Sequence, residues 1–345
     1  MKQRLLKFPA VALLLFLNVG LISCGSDPLD VDVSAISVPQ VRVERYDSAL
    51  FAVDTAKIPQ QLDALQKKFG DFSPGFINNI VCRSGRDSIL RDLDIRNFLN
   101  DYSTRGVYND YSKIYTGDFS WLEKDITAAY KHFKYYFPKR ELPKGVYTDM
   151  TGFNYNILQI EGYYGIGLEY YLGSSSVYYD QLQWPAYKRY TCRKEYMASN
   201  FVRAWMMTEF PYQPPKNDLI NRMVYEGKLL YLQKALLRET PDTIILGYSQ
   251  KQLQWSLDNE FKMWSSLIEN QKLYSEDEED LQHYTEEAPF TPDFPRESPG
   301  KAGNWLGLRI VEAFMKNNPK VTLEQLMENQ DGAAILNRSK YKPKP

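Results

Sequence analysis

Lys2, Arg4 and Lys7 stand ahead of an apolar run from Val11 to Leu17, and the first cysteine, Cys24, follows directly on Leu21-Ile22-Ser23. A short apolar stretch with basic residues on one side only has the form of a secretory leader and is too short for a good spanning helix. The folding part of the chain is therefore expected to begin after residue 23 and to fold outside the cytoplasm. Beyond Cys24, only Cys82 and Cys192, with His132 and His283, remain there as thiols and imidazoles. So few leave little for a disulfide scaffold, a zinc cage or histidine-dependent catalysis. The 345 residues are 43% hydrophobic and 25% charged, an ordinary globular composition that excludes a disordered tail. Removal of residues 1–23 takes away three basic and no acidic groups, leaving 39 basic against 43 acidic. A mildly acidic domain is not a nucleic-acid binder.

Leu21 to Cys24 resembles a bacterial lipobox, in which the cysteine thiol is acylated and the chain is cut before it. Simple secretion with a cysteine near the cut is the alternative. Each buried methylene contributes about 0.8 kcal/mol and stable anchoring takes about two chains, so a triacylated Cys24 would hold a soluble domain on a membrane. Residues 24–40, rich in Ser, Asp and Pro, read as a polar lipidated tether, and residues 41–345 as a single domain. Cys82 and Cys192 admit two readings. A disulfide closing a loop of about 100 residues would stabilise by roughly 4 to 5 kcal/mol, whereas two buried thiols would act as small hydrophobes.

Helical periodicity recurs over 58–69, 88–99 (burying Ile89, Leu93, Phe98 and Leu99) and 118–137 (Leu122, Ile126, Ala129, Tyr130, Phe133 and Phe137). His132 falls off that last stripe, toward solvent. From 145 to 179 the period shortens. Val146–Thr148, Asn156–Ile160 and Ile166–Tyr170 read as a small antiparallel sheet. Helices resume over 199–209, 218–238, 249–274 and 301–316, and from Thr322, which forms a capping box with Gln325. The acidic block 276–280 and the prolines of 289–299 read as a long solvated connection. Mostly helix with one compact sheet is an α+β domain.

The familiar catalytic signatures fail one by one. Gly165-Ile-Gly167 lacks the third glycine of a dinucleotide loop, and neither a P-loop nor a nucleophile elbow occurs. His132 and His283 cannot form one His-x-x-x-His pair. Tyr163, Tyr164, Tyr170, Tyr171, Tyr178 and Tyr179, with Glu161 and Glu169 as paired carboxylates, suggest a sugar platform. Half-buried strand and interface positions explain the same tyrosines more simply. The best single candidate site is Glu226-Gly227 on the 218–238 helix. A carboxylate at the edge of an apolar arc is expected to pair or to point into a cleft, and a mid-helix glycine marks close packing. A packed glycine with a surface glutamate beside it is the simpler explanation.

Several pieces, in order, resemble the gliding motility lipoprotein GldB family of Bacteroidota: the lipobox, Val43-Glu44-Arg45-Tyr46-Asp47, Ile166 to Gly173, Glu209-Phe210-Pro211-Tyr212, Tyr225-Glu226-Gly227, and Pro299 to Gly307. The resemblance implies an envelope lipoprotein that supports gliding motility or associated secretion machinery through protein contacts. Chains of this type are similar in outline to predicted zinc peptidases with a His-Glu-x-x-His helix followed by a Glu-Gly helix. Tyr225-Glu226-Gly227 matches the second helix, while the first, placed near Phe201 to Glu209, contains no histidine. Glu226 with Glu209 would be a poor zinc site. What the resemblance implies is thus a degenerate zincin-like scaffold with no catalytic residue, metal or cofactor, a membrane and envelope proteins as partners, and no nucleic acid. The rival is an envelope hydrolase, either a divergent metallopeptidase around Glu226 or a carbohydrate-active protein.

Overall fold

The computed structural model describes residues 27–82 and 88–345, so the expected signal peptide at 1–23 and Cys24 lie outside the described residues. Strand β1 (Val43–Arg45) leads into α1 (Tyr46–Phe51), α2 (Ile58–Phe69), α3 (Phe72–Phe76) and a π-helical turn at Ile77–Val81. Next come α4 (Ser88–Asn100), α5 (Tyr102–Ile114) and α6 (Ser120–Tyr136), and then β2 (Gly145–Asp149), β3 (Ile157–Ile160) and β4 (Tyr163–Gly167). Two short helices, α7 (Val177–Gln181) and α8 (Ala186–Tyr190), precede α9 (Met197–Glu209) and α10 (Leu219–Leu236). The chain finishes with α11 (Asp242–Leu246), α12 (Gln250–Asp258), α13 (Glu260–Glu269), α14 (Glu278–Thr285), α15 (Ala302–Asn317), α16 (Leu323–Glu328) and α17 (Gly332–Ser339). The class is α+β, as the periodicities indicate.

The sheet has the order β1-β2-β4-β3 and is mixed, not antiparallel throughout. β1 pairs with β2 and β2 with β4 in parallel, setting Val43 opposite Val146 and Val146 opposite Tyr164. Only β3 and β4 run antiparallel, around a two-residue turn in which Glu161 (φ 51°) and Gly162 (φ 84°) are both left-handed. Parallel pairing needs a long crossover, and α1 to α6 supply it between β1 and β2. Alternating apolar residues mark a strand without stating the direction of its neighbour. The end of the expected strand Ile166–Tyr170 is instead a 3-10 turn, Leu168–Tyr171.

α10 runs through the centre of the helical part, with every residue but Arg222 and Lys234 buried. A helix apolar nearly all round must be covered on all sides, and α6, α9, α14, α15 and α17 do so. The Asp218 carboxylate starts it by accepting the Asn221 N–H. Gly227 lies against α15 so closely that a Cβ would overlap the Gly307 carbonyl carbon, and a Cβ on Gly307 would overlap the Met223 carbonyl oxygen. The close packing expected at Gly227 is thus a backbone-to-backbone contact.

Several local expectations change. Ile89 and Leu93 are 78% and 50% exposed, while α4 buries Ile95 and Leu99, one turn apart on another face. α4 carries apolar residues on more than one side, so its neighbours decide which side packs. His132 is buried, its Nδ1 donating to the Ala128 carbonyl at 2.9 Å, because α6 is covered on a wider arc than its apolar stripe. The 249–274 helix is broken at Asn259, which ends α12 and opens α13. The acidic block starts α14: Asp277 caps it, and Asp280 is buried on Lys272 Nζ and the Ser275 hydroxyl, each at 2.6 Å. The capping box of Thr322 and Gln325 is present. From Asp27 on, the expected tether is seated on the domain: Arg238 holds Asp27 at 2.5 Å, Leu29 is buried, and the Val41 N–H donates to Thr127.

Candidate functional site

Arg203 on α9 and Glu226 on α10 meet across the helix pair, with Nη2 donating to Oε2 at 2.6 Å. Burial works against the guanidinium charge, and the Glu226 carboxylate more than offsets it, leaving Arg203 more firmly protonated than in water. The pair lines a polar cavity of about 440 Å³. Ser199, Asn200 and Arg203 enter it from α9; Arg222, Glu226, Leu230 and Gln233 from α10; and Lys301 and Asn304 from the start of α15. A second cavity of about 420 Å³ adjoins it, sharing Thr191, Gly247, Tyr248, Glu287 and Lys301.

Two buried amides face this space with an acceptor to spare. The Gln233 Nε2 donates to the Ser199 carbonyl and hydroxyl at 3.0 Å each, leaving Oε1 without a partner. The Asn304 Nδ2 donates to the Thr285 carbonyl at 3.0 Å, leaving Oδ1 likewise. Three cations (Arg203, Arg222, Lys301) and three carboxylates (Glu226, Glu286, Glu287) line the wall, so its fixed charge is balanced. The cavity wall can therefore take a group of no net charge.

Glu226 thus pairs and faces a cleft, both outcomes expected of it. Glu209 is not brought to it. At the far end of α9, Glu209 faces Arg140 at 3.5 Å, in a group with Glu324 and Glu328, and does not line the cavity. Arg203 is the α9 residue that meets Glu226, and Ser199, bonded to Gln233 two turns along α10, lines the same cavity with Asn200, ahead of the Phe201–Glu209 stretch. Their i, i+1, i+4 spacing was the available signal. Among the described residues, no three His, Cys, Asp or Glu side chains come together to hold a metal ion. Cys82 and Cys192 are free thiols, and Cys192 packs in a small cluster with Tyr179 and Trp184.

The sugar platform is not assembled. Glu161 is a turn residue, and Glu169 is completely buried. Tyr164 packs edge-on against Phe201, Tyr163 stacks on Tyr147, and the Tyr179 ring stacks on Trp184. Glu169 belongs instead to an acidic group at the end of the sheet that sequence reading missed. Asp47, Asp149 and Glu169 are all without solvent exposure. Arg45 grips Asp47 through two bonds of 2.6 and 2.8 Å. Glu169 Oε1 accepts the backbone N–H groups of Thr151 at 2.7 Å and Phe153 at 3.3 Å, but Oε2 and both Asp149 oxygens have no partner. A Cβ on Gly167 would lie 3.2 Å from Glu169 Oε2 and 3.5 Å from Asp149 Oδ1, so these oxygens face the same spot. Burial pushes Glu169 up to about 7 and Asp149 well above the usual carboxylate range, and mutual repulsion adds to the Asp149 shift. Asp149 thus holds its proton more firmly than a solvent-exposed carboxyl does.

No helix among the described residues is long and apolar enough to cross a membrane. Neither the curated proteins nor the solved structures contain a match to the chain. The family described as gliding motility protein GldB matches residues 26–343, nearly all of the sequence, a span that includes the α9–α10 cavity and the buried acidic group of this chain. This chain belongs to the GldB family of gliding motility proteins.

Proposed function

We propose that the chain is a cell-envelope lipoprotein, acylated at Cys24, that supports gliding motility or the associated secretion machinery by binding a protein partner and catalyses no reaction. The observation that carries the non-catalytic part is the Arg203–Glu226 pair. A zinc-peptidase helix presents His at i and i+4 and a general-base Glu at i+1. The α9 residues that line the cavity with Glu226 offer a hydroxyl, an amide and a guanidinium, from Ser199, Asn200 and Arg203. None can replace imidazole on zinc, and the guanidinium occupies the Glu226 oxygen that a dication would need. The residues present do not fit a metal.

The same cavity suits recognition. Gln233 Oε1 and Asn304 Oδ1 are buried acceptors without donors, and such atoms cost about 1–3 kcal/mol each when unsatisfied. A peptide segment of a partner, neutral along its backbone, suits a wall of balanced charge.

Complementation of a deletion strain in a gliding relative tests the reading. The wild-type gene is expected to restore spreading, the Cys24→Ser gene to fail, and purified protein to hold no stoichiometric zinc. Stoichiometric zinc lost in Glu226→Ala, or full spreading with Cys24→Ser, overturns it.

A further inference from the structure

With Cys24 as the anchor, only Gly25 and Ser26 separate it from Asp27, where the chain is already fixed on the domain. Asp27 is bound to Arg238 at 2.5 Å, and the buried Leu29 offers its carbonyl to the Tyr136 hydroxyl at 3.4 Å. Three extended residues span at most about 11 Å. Whatever surface surrounds Asp27 must then lie within about that distance of the acylated cysteine.

That surface contains a groove of about 1040 Å³, larger than the polar cavity and its neighbour. Asp27, Pro28 and Leu29 form one side of it, Tyr135 and Tyr136 at the end of α6 another, and Met315 and Pro319 at the end of α15 a third. Its interior charges are mutually occupied, Lys234 with Asp242 and Glu312 at 3.1 and 3.2 Å. Tyr135 is 46% exposed, and Lys316 and Pro319 are exposed at the rim. Tyrosine, with an apolar ring and a polar tip, and lysine, with an apolar stem, favour the headgroup level of a bilayer. The domain is mildly acidic, so this contact does not depend on a polybasic patch.

We propose that the face around Tyr135, Pro28 and Pro319 is seated on the bilayer that holds the anchor, with phospholipid at the headgroup and upper acyl level filling the groove. The inference rests on acylation of Cys24. The domain then stands on the membrane in one orientation, set by the short leash and by this face.

Hydrogen exchange tests it on the full mature chain, produced with its own leader and reconstituted in phosphatidylethanolamine–phosphatidylglycerol vesicles, against the soluble Cys24→Ser chain. Mass analysis of the Cys24 peptide first establishes the acyl groups; an unmodified Cys24 overturns the anchor and this inference together. For an acylated chain, amides of residues 133–137 and 314–321 are expected to exchange at least fivefold more slowly in vesicles, with residues 250–258 unchanged. Tyr135→Asp, at a position 46% exposed, is expected to remove most of that protection. Acylated protein with equal exchange at both segments overturns the seating while leaving the anchor intact.

Discussion

Arg203 and Glu226, 23 positions apart in sequence, are joined by a 2.6 Å charged hydrogen bond at the wall of the polar cavity. Removing the carboxylate leaves a half-buried guanidinium without its partner, whereas Gln keeps one acceptor. Glu226→Ala is expected to lower stability by about 1–3 kcal/mol and Glu226→Gln by less. Paired urea denaturation curves measure both. An unchanged midpoint for Glu226→Ala would show that the ion pair contributes nothing to the α9–α10 contact.

Gly227 and Gly307 let α10 and α15 touch backbone to backbone. Gly227→Ala is expected to force these central helices apart and to cost about 3 kcal/mol or prevent folding. Gly106, inside α5, is a contrasting case, since a Cβ there would meet only the Tyr178 hydroxyl at 3.6 Å. Gly106→Ala is expected to stabilise by about 0.5–1 kcal/mol through helix propensity. Thermal unfolding of the two variants should therefore move in opposite directions.

Gly227 also shows where sequence reading succeeds. A glycine in mid-helix is a local anomaly, and so is a six-position apolar stripe such as that of α6; both are visible without knowing any neighbour. Glu226 stood out because a carboxylate interrupts an apolar arc. Its partner did not, since Arg203 is an ordinary helix residue until α9 is laid against α10. The acidic group was hidden for the same reason. Asp47, Asp149 and Glu169 lie at the ends of elements separated by a crossover of about 100 residues, and only parallel pairing of β1, β2 and β4 gathers them. Alternation places residues on a strand without stating which strand comes next. The face of α4 that packs was likewise a matter of its neighbours.

The acidic group gives stability a pH dependence of definite sign. In the unfolded chain Glu169 releases its proton near 4.5, while burial holds the folded group to about 7. Between those values the folded state binds more protons, so stability is full below about 4.5 and is lost as pH rises through about 7. Asp149, raised in the same sense from 3.8, carries the loss further. Glu169→Gln keeps the shape without the ionisation and is expected to flatten the curve between pH 5 and 7. Urea midpoints at pH 5, 6 and 7 decide it, and equal slopes for both proteins would contradict the burial of an ionisable Glu169.

Lys228 gives the opposite sign. On α10 it is buried, and Nζ donates to the carbonyls of Met327 at 3.2 Å and Asn329 at 2.7 Å, where α16 ends. Lys228→Met fills similar space but strands both carbonyls, an expected loss of about 1–2 kcal/mol at pH 7 with faster amide exchange over 326–331. Burial also pulls Lys228 down from 10.5 to about 8. Between those values the unfolded chain binds more protons, so the wild-type contribution is fully present above 10.5 and is lost as pH falls through 8. The wild-type advantage over Lys228→Met should therefore widen from pH 8 to pH 10, as paired denaturation curves at the two values would read directly. A constant difference would mean that the ammonium is solvated, and that α16 is not fastened to the central helix through a buried charge.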